Sequence, residues 1–229
     1  MDIGKALTSG FNVLRKNPRI FVPALIIAII STYIQTIPIP SITSDPILGV
    51  VDLVALMNWG IFFILVAIIT GLVNLFLSGM IVRMTYDATR KKLDINKAAN
   101  IVLKRYIPLL IASIVVGIIV TAGFIALIIP GIFLSIQLVF FSYAILIDNE
   151  DIAGSLKKSW RMVKGKWWNV FALMLIIGIV SLMVGLPVGI LVLVSQPLYL
   201  IANFFMILFI TPWTTATLTF AYLQMRKRR

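Results

Sequence analysis

The sequence predicts an all-α integral membrane protein with six transmembrane helices and three amphipathic helices at the cytoplasmic membrane surface. Three observations predict this fold class. Of the 229 residues, 61% are hydrophobic, which is well above the usual share in soluble domains. Long uncharged segments alternate with short basic segments. A motif that begins with aspartate also occurs three times, each time ahead of a long apolar segment.

The uncharged segments are long enough to cross a bilayer, because one helical span needs about 20 apolar residues. In chain order they predict six spans, expected at about residues 20–38, 57–82, 107–129, 132–147, 168–188 and 198–223. Pro130 and Pro187 are predicted to mark turns on the outer side of the membrane. The first apolar segment has full spanning length, so we interpret it as a permanent span and not as a signal peptide.

The basic residues predict the orientation of the chain. All 20 Lys and Arg residues fall in four segments, at residues 5–19, 83–105, 157–166 and 226–229. None occurs in the connections on the opposite side, at residues 38–58, 129–131 and 185–198. The positive-inside rule therefore predicts a multi-pass protein of the cell membrane with cytoplasmic N- and C-termini. A net charge of +12 distributed in this way favours anionic membrane lipids over nucleic acid as the partner.

The repeated motif predicts three amphipathic helices. Each copy starts with Asp-Ile, at Asp2, Asp94 and Asp151, and apolar residues then recur at intervals that predict one face of an α-helix. These stripes are Ile3, Leu7, Phe11 and Leu14; Ile95, Ala99, Leu103 and Tyr106; and Ile152, Leu156, Trp160 and Val163. Each aspartate is expected to cap its helix by accepting hydrogen bonds from first-turn N–H groups. Basic residues on the opposite faces are typical of helices that lie in the membrane surface.

One amphipathic helix and the two spans that follow it form the predicted repeat, within a single membrane domain of residues 1–229. The three repeats cover residues 1–93, 94–149 and 150–229. Because all three begin on the same side of the membrane, they are expected to be parallel and related by an axis along the membrane normal.

The chain contains no Cys and no His, which removes thiolate and imidazole metal ligands and histidine-based catalysis. We therefore predict a protein that is not an enzyme, without catalytic residues, cofactor or metal site. Asp148, Glu150 and Asp151 could attract a hard cation such as magnesium. Capping of the third amphipathic helix explains this acidic cluster more simply.

Two sets of residues are candidate contact sites. The basic residues beside the spans are predicted to contact lipid headgroups, and they are Arg15, Lys16, Arg19, Lys97, Lys104, Arg105, Lys157, Lys158, Arg161, Lys164 and Lys166. Arg83, at the end of the second span, is interpreted as a further headgroup anchor. A transport path would be lined by polar residues of the spans, namely Asn74, Gln137, Asn203, Thr211, Thr214 and Thr215. The alternative is that these side chains hydrogen-bond neighbouring helices or their own helix.

Residues 130–168 contain a pattern of short motifs, which are Pro130-Gly131-Ile132, Ile147-Asp148, Gly154-Ser155-Leu156, Ser159-Trp160, Lys164-Gly165 and Trp167-Trp168. In this pattern the chain resembles the membrane domain attached to some glycerophosphodiester phosphodiesterases, and related six-helix membrane proteins of bacteria and archaea. The resemblance implies a membrane-embedded module connected with lipids or lipid-derived substrates. Hydrolysis in those enzymes belongs to a separate soluble domain with histidines and metal-binding carboxylates, so the resemblance assigns no phosphodiesterase activity to this chain.

The function expected from the sequence is a non-enzymatic protein that interacts with lipid or organises the membrane. One alternative is a transporter or channel for a small molecule, ion or lipid, with a path between the repeats. The other alternative is a membrane-embedded enzyme that acts on lipid through carboxylates near Asp148. A homo-oligomer is compatible with all three functions.

Overall fold

The computed structural model describes residues 1–37, 53–90 and 92–226, and all regular secondary structure in these residues is helical. Ten α-helices are described: α1 (Ile3–Lys16), α2 (Phe21–Ile34), α3 (Leu53–Thr89), α4 (Ile95–Lys104), α5 (Tyr106–Ala126), α6 (Ile128–Leu138), α7 (Phe141–Asp148), α8 (Ile152–Val163), α9 (Trp167–Ile190) and α10 (Gln196–Arg226). Two short 3-10 turns lie at Pro18–Ile20 and Leu191–Leu193. Most of the predicted outer connection at 38–58, and the basic residues 227–229, fall outside the described residues.

Five helical stretches of the described chain are long and apolar enough to cross a membrane, at Trp59–Thr89, Tyr106–Ala126, Ile128–Asp148, Trp167–Leu193 and Gln196–Arg226. The number rises to six if α1 and α2 together count as one span, although they meet at a bend of 98°. The bend falls at Pro18, where the missing N–H group and the proline ring interrupt a helix. The prediction of an all-α fold with about six helices of spanning character is therefore confirmed.

The structure shifts two of the predicted turns. The chain turns at Leu127, so Pro130 lies in the first turn of α6, where backbone N–H groups have no partner within the helix. The predicted turn at Pro187 is wrong, because this residue lies inside α9 and the chain turns after it, at residues 191–195. The fourth predicted span is broken at Val139 and Phe140 into α6 and α7.

The three predicted amphipathic helices are α1, α4 and α8, and each has the expected aspartate cap. Oδ1 of Asp2, Asp94 and Asp151 accepts a hydrogen bond from the backbone N–H three residues later, at 3.0, 3.2 and 2.8 Å respectively. Such a cap uses one of the donors that the first turn of a helix leaves without a partner. An aspartate side chain therefore caps the N-terminus of each of the three helices.

The buried core lies where these three helices pack against the C-terminal ends of α3, α7 and α10 and the N-terminal parts of α2, α5 and α9. Its fully buried side chains include Ile81 and Met84 of α3, Leu146 of α7 and Tyr222 of α10. The remaining parts of the long helices expose large apolar side chains such as Ile64 and Ile118. This division fits a membrane-embedded protein, because lipid tails solvate apolar side chains about as well as other apolar side chains do.

Candidate lipid-contact surface and ionic cluster

The three amphipathic helices share one pattern of burial, counted from the capping aspartate. The residues four and eight positions later are buried in every case, and they are Ala6 and Gly10, Ala98 and Val102, and Ser155 and Ser159. The residue nine positions later is large, apolar and exposed, and it is Phe11, Leu103 or Trp160, with exposed fractions of 60%, 64% and 38%. At these two positions the residues that face the bundle are mostly small, and part of the predicted apolar stripe faces away from it.

The contact between α1 and α10 depends on the absence of a side chain at Gly10. A Cβ atom there would lie 2.5 Å from Oγ1 of Thr217 and 2.9 Å from its backbone nitrogen. At the start of the same helix, the backbone N–H of Asp2 donates a hydrogen bond of 2.8 Å to Oε1 of Gln224. Both contacts hold α1 against the C-terminal part of α10.

The helix α4 packs on α3 in a similar manner. A Cβ atom at Gly79 would lie 3.1 Å from Cγ1 of Val102 and 3.4 Å from Cδ1 of Leu146. A methyl group at this position of α3 would therefore crowd side chains of α4 and α7, which would have to shift by a few tenths of an ångström.

The helix α8 is fixed at the break between α6 and α7. The hydroxyl of Ser159 donates a hydrogen bond of 2.9 Å to the carbonyl of Gln137 and accepts one of 3.1 Å from the N–H of Phe140. In return, Nε2 of Gln137 donates a hydrogen bond of 3.0 Å to the carbonyl of Trp160. Insertion of a side chain into the backbone ladder is an established cause of helix breaks, so Ser159 explains this one.

A groove with a volume of about 540 Å³ lies between α5, α6 and α8. Ile119 and Leu138 contribute apolar surface from α5 and α6, and Leu156 and Trp160 contribute it from α8. Lys157 and Arg161 also line the groove, and they lie one helical turn apart on α8. The groove therefore combines an apolar floor with two basic side chains.

An ionic cluster centred on Asp148, whose side chain is 4% exposed, joins α7, α8 and α10. Nζ of Lys158 lies 2.7 Å from Oδ2 of Asp148 and 2.8 Å from Oε1 of Glu150. Nη2 of Arg226 lies 3.0 Å from Oδ1 of Asp148, and the hydroxyl of Tyr222 donates to Oδ2 at 2.5 Å. Burial alone would lower the pKa of the Lys158 ammonium. The hydrogen bonds to Asp148 and Glu150 and the charges of these carboxylates together have a larger effect in the opposite direction, so the pKa is raised.

A second buried ion pair lies on α3. Arg83 contacts Asp87 through Nε at 3.2 Å and through Nη2 at 3.1 Å, and both side chains are nearly buried. Nη1 of Arg83 also donates a hydrogen bond of 3.1 Å to the carbonyl of Leu146 in α7. The interpretation of Arg83 as a headgroup anchor is therefore wrong, because its charge faces the protein interior.

The predicted headgroup residues are mostly at the surface. Eight of them are exposed, namely Arg15, Lys16, Arg19, Lys97, Lys104, Lys157, Arg161 and Lys164, and Arg105 and Lys166 are half-buried. Lys16 and Arg19 also line a cleft of about 580 Å³ between the bend after α1 and the end of α3. Lys158 differs from the others, because the structure places its ammonium in the ionic cluster.

The six predicted path residues have varied surroundings. Gln137 donates to the carbonyl of Trp160, and the hydroxyls of Thr214 and Thr215 donate to the carbonyl of Thr211 at 2.9 Å each. Asn203 is buried and Asn74 half-buried. Within the described chain, none of the six lines the groove under α8 or the cleft at Lys16. A path stays a prediction, and the hydrogen bonds of the threonines fit the alternative of bonding within a helix.

The predicted acidic cluster is divided between two roles. Asp151 caps α8, whereas Asp148 and Glu150 pair with Lys158. In the described residues no three acidic side chains are grouped so that they could hold a metal ion. The sequence did not indicate the part that Tyr222 plays, because it lies 74 residues from Asp148 and no local pattern connects them.

The fold and this surface define a class of protein, an all-helical one with five or six helices of membrane-spanning character. The chain belongs to the family described as Domain of unknown function (DUF7847), whose model matches residues 1–225. Neither a curated protein nor a solved structure matches the chain.

Proposed function

We propose that this protein is a non-enzymatic membrane protein that binds anionic lipids of the cytoplasmic leaflet through α1, α4 and α8. The observation that carries the proposal is the large exposed apolar residue at the same position of each helix, at Phe11, Leu103 and Trp160. Full burial of one such side chain stabilises a protein by about 1.5–3 kcal/mol relative to leaving it in water. In the membrane interface the apolar residue would enter the acyl region while neighbouring basic residues meet headgroups.

The packing of the helices supports the proposed threefold repeat. The helix α4 packs on α3, and α8 packs on α6 and α7, so each amphipathic helix contacts the second long helical segment of the repeat before it. The helix α1 packs on α10, which is the second long helix of the third repeat. The first repeat therefore contacts the third in the same way, and the three repeats are arranged in a ring. The shared aspartate caps and the shared burial pattern add to this support. A ring of this kind fits a pseudo-threefold axis along the membrane normal.

The proposed orientation has both termini in the cytoplasm. In support of it, Asp2 and Gln224 are hydrogen-bonded, so the two ends of the described chain lie on the same side. The exposed basic residues of α1, α4 and α8 lie at this end as well. Juxtamembrane Lys and Arg each contribute on the order of 1 kcal/mol to binding of an anionic leaflet.

Lipid interaction is favoured over the two alternatives on chemical grounds. The hydroxyls of Thr214 and Thr215 bond within α10 and do not point to a polar path. The carboxylate of Asp148, the candidate for catalysis, is neutralised by Lys158 and Arg226. The resemblance to the membrane domain of glycerophosphodiester phosphodiesterases also supports a connection with lipid.

Spin-labelled lipids test the proposal, because their resonance spectra separate protein-bound from bulk lipid. In vesicles of phosphatidylcholine and phosphatidylglycerol, we expect the protein to immobilise labelled phosphatidylglycerol in several-fold preference to labelled phosphatidylcholine. The preference should fall at about 1 M salt, where the Debye length is about 3 Å. It should also fall when Lys97, Lys104 and Lys164 are replaced by glutamine. Equal immobilisation of the two lipids at low salt would contradict the proposal.

A further inference from the structure

We propose that the groove between α5, α6 and α8 binds one anionic phospholipid, with its phosphate at Lys157 and Arg161 and an acyl chain on the apolar floor. This inference rests on the proposed function and adds to it. The proposed function concerns the preference of the whole surface for anionic lipids, whereas this groove would bind a single lipid molecule.

The size and shape of the groove suit part of a lipid. Its volume of about 540 Å³ lies within the range of about 300–1,000 Å³ that is typical of small-ligand sites. Ile119, Leu138 and Leu156 come from three different helices, so the floor is a built surface and not the side of one helix. Trp160 forms one wall, and its ring packs edge-on against Phe133 at a centroid distance of 6.1 Å. An acyl chain would cover the exposed ring of Trp160 and the half-buried side chains of Ile119 and Leu156.

The charge of the groove selects the headgroup. Lys157 and Arg161 are its charged lining residues, and none of the residues that line it is acidic. The nearby carboxylates of Asp148 and Glu150 are bound to Lys158, which lies beside Lys157 in the chain and faces the ionic cluster. Both carboxylates therefore have a basic partner outside the groove. An arginine with a lysine one turn away can bind phosphate through several charge-assisted hydrogen bonds.

A second groove provides an internal comparison. It has a volume of about 420 Å³ and is lined by Leu72, Val73, Phe76, Leu103, Tyr106 and Ile107. Leu103 occupies the same position in α4 as Trp160 does in α8, counted from the capping aspartate. This second groove has no basic lining residue, so it lacks the group that would select a headgroup. The assignment therefore applies to the groove under α8 alone.

Native mass spectrometry of the protein released from nanodiscs tests the site. With equal amounts of phosphatidylglycerol and phosphatidylcholine, the unmodified protein should retain one phosphatidylglycerol after the other lipids have been removed. The variant K157Q/R161Q should retain it at least tenfold less. The matched control K164Q/K166Q removes the same charge from residues that do not line the groove and should retain the lipid. Leu156→Trp, which fills the groove, should abolish retention, whereas Leu103→Trp in the second groove should not.

Equal retention of phosphatidylglycerol by K157Q/R161Q and by the unmodified protein would overturn the assignment. Displacement of the retained lipid by inorganic phosphate alone would also overturn it, because the site would then bind a soluble anion. Thermal unfolding of each variant checks that it is folded, and both residues in K157Q/R161Q are exposed in the native protein. If the protein retained phosphatidylglycerol in the groove but showed no preference in the spin-label experiment, the groove site would stand and the proposed general binding of anionic lipids would be refuted. Loss of retention in K157Q/R161Q with an unchanged spin-label preference would support both.

Discussion

Arg83 of α3 donates a hydrogen bond of 3.1 Å to the main-chain carbonyl of Leu146 in α7. The same guanidinium is paired with Asp87, so the replacement Arg83→Met would leave a nearly buried carboxylate without a partner. Removal of one member of a buried pair costs about 3–5 kcal/mol. We expect a correspondingly lower thermal stability in detergent, measured by the loss of helical circular dichroism.

The double variant R83M/D87L is the control for this effect. It removes both charges, and replacement of a whole buried pair by apolar residues is often close to neutral. The double variant should therefore recover most of the lost stability. An Arg83→Met protein as stable as the unmodified one would show that the pair is not buried in the membrane-bound protein.

The contact at Gly10 predicts sensitivity to a single methyl group. Gly10→Ala should destabilise the protein by about 1–3 kcal/mol, because the new Cβ would overlap with the backbone and side chain of Thr217. Gly117→Ala is the matched control, since nothing lies within 4 Å of a Cβ at that position. It should be neutral or stabilise its helix by about 0.5–1 kcal/mol. Chemical unfolding in mixed micelles measures both variants, and an equal response of the two would refute the close contact.

The ionic cluster predicts a pH dependence at alkaline pH. The pKa of Lys158 is raised in the folded protein above its usual value of 10.5. The cluster therefore contributes its full stability below the unfolded pKa of about 10.4, and this contribution is lost as the pH rises through the folded pKa. The difference in melting temperature between the unmodified protein and Lys158→Gln should stay constant from about pH 7 to 10 and shrink above it. The variant Lys164→Gln should show no such change. A difference that already shrinks near neutral pH would contradict the stabilisation of the Lys158 ammonium by Asp148 and Glu150.

The proposed orientation predicts which positions can be labelled from each side. The chain has no cysteine, so single-cysteine variants carry one reactive site. In intact cells a membrane-impermeant maleimide should label Gln196→Cys, at the start of α10. It should reach Lys92→Cys, between α3 and α4, only after the cells are opened. The reverse pattern would invert the topology and place the basic helices in the outer leaflet.

The fold class could be predicted from the sequence because it depends on composition along the chain. Long apolar segments have few options other than helices in a bilayer, since every backbone group must find a partner within the chain. The aspartate caps were equally predictable, because a cap depends on residues only three positions apart. The start of α8 at Asp151 and Ile152 illustrates this local dependence.

The contacts of the surface helices could not be predicted in the same way. The sequence predicted the apolar stripe that contains Phe11 and Leu103. It did not indicate that Ala6, Gly10 and Ala98 would be buried against the bundle. Small residues give no signal in a pattern of hydrophobicity, although they let helices approach closely. The ion pair of Arg83 with Asp87 could have been found, because the two residues lie four positions apart on one helix. The contact of Arg83 with the carbonyl of Leu146 could not, because 63 residues separate them and no periodic pattern connects the two positions.

The packing of α1 on α10 has a consequence for how the chain is made. The hydrogen bond from Asp2 to Gln224 spans 222 residues, so α1 leaves the ribosome well before α10 and cannot dock until α10 has been translated. At about 5–20 residues per second, this delay is on the order of 10–40 s. During that time α1 has no α10 to bind, and under the proposed function the membrane surface would hold it through Phe11 and its basic residues. The contact between α1 and α10 is therefore formed late in the biogenesis of this protein.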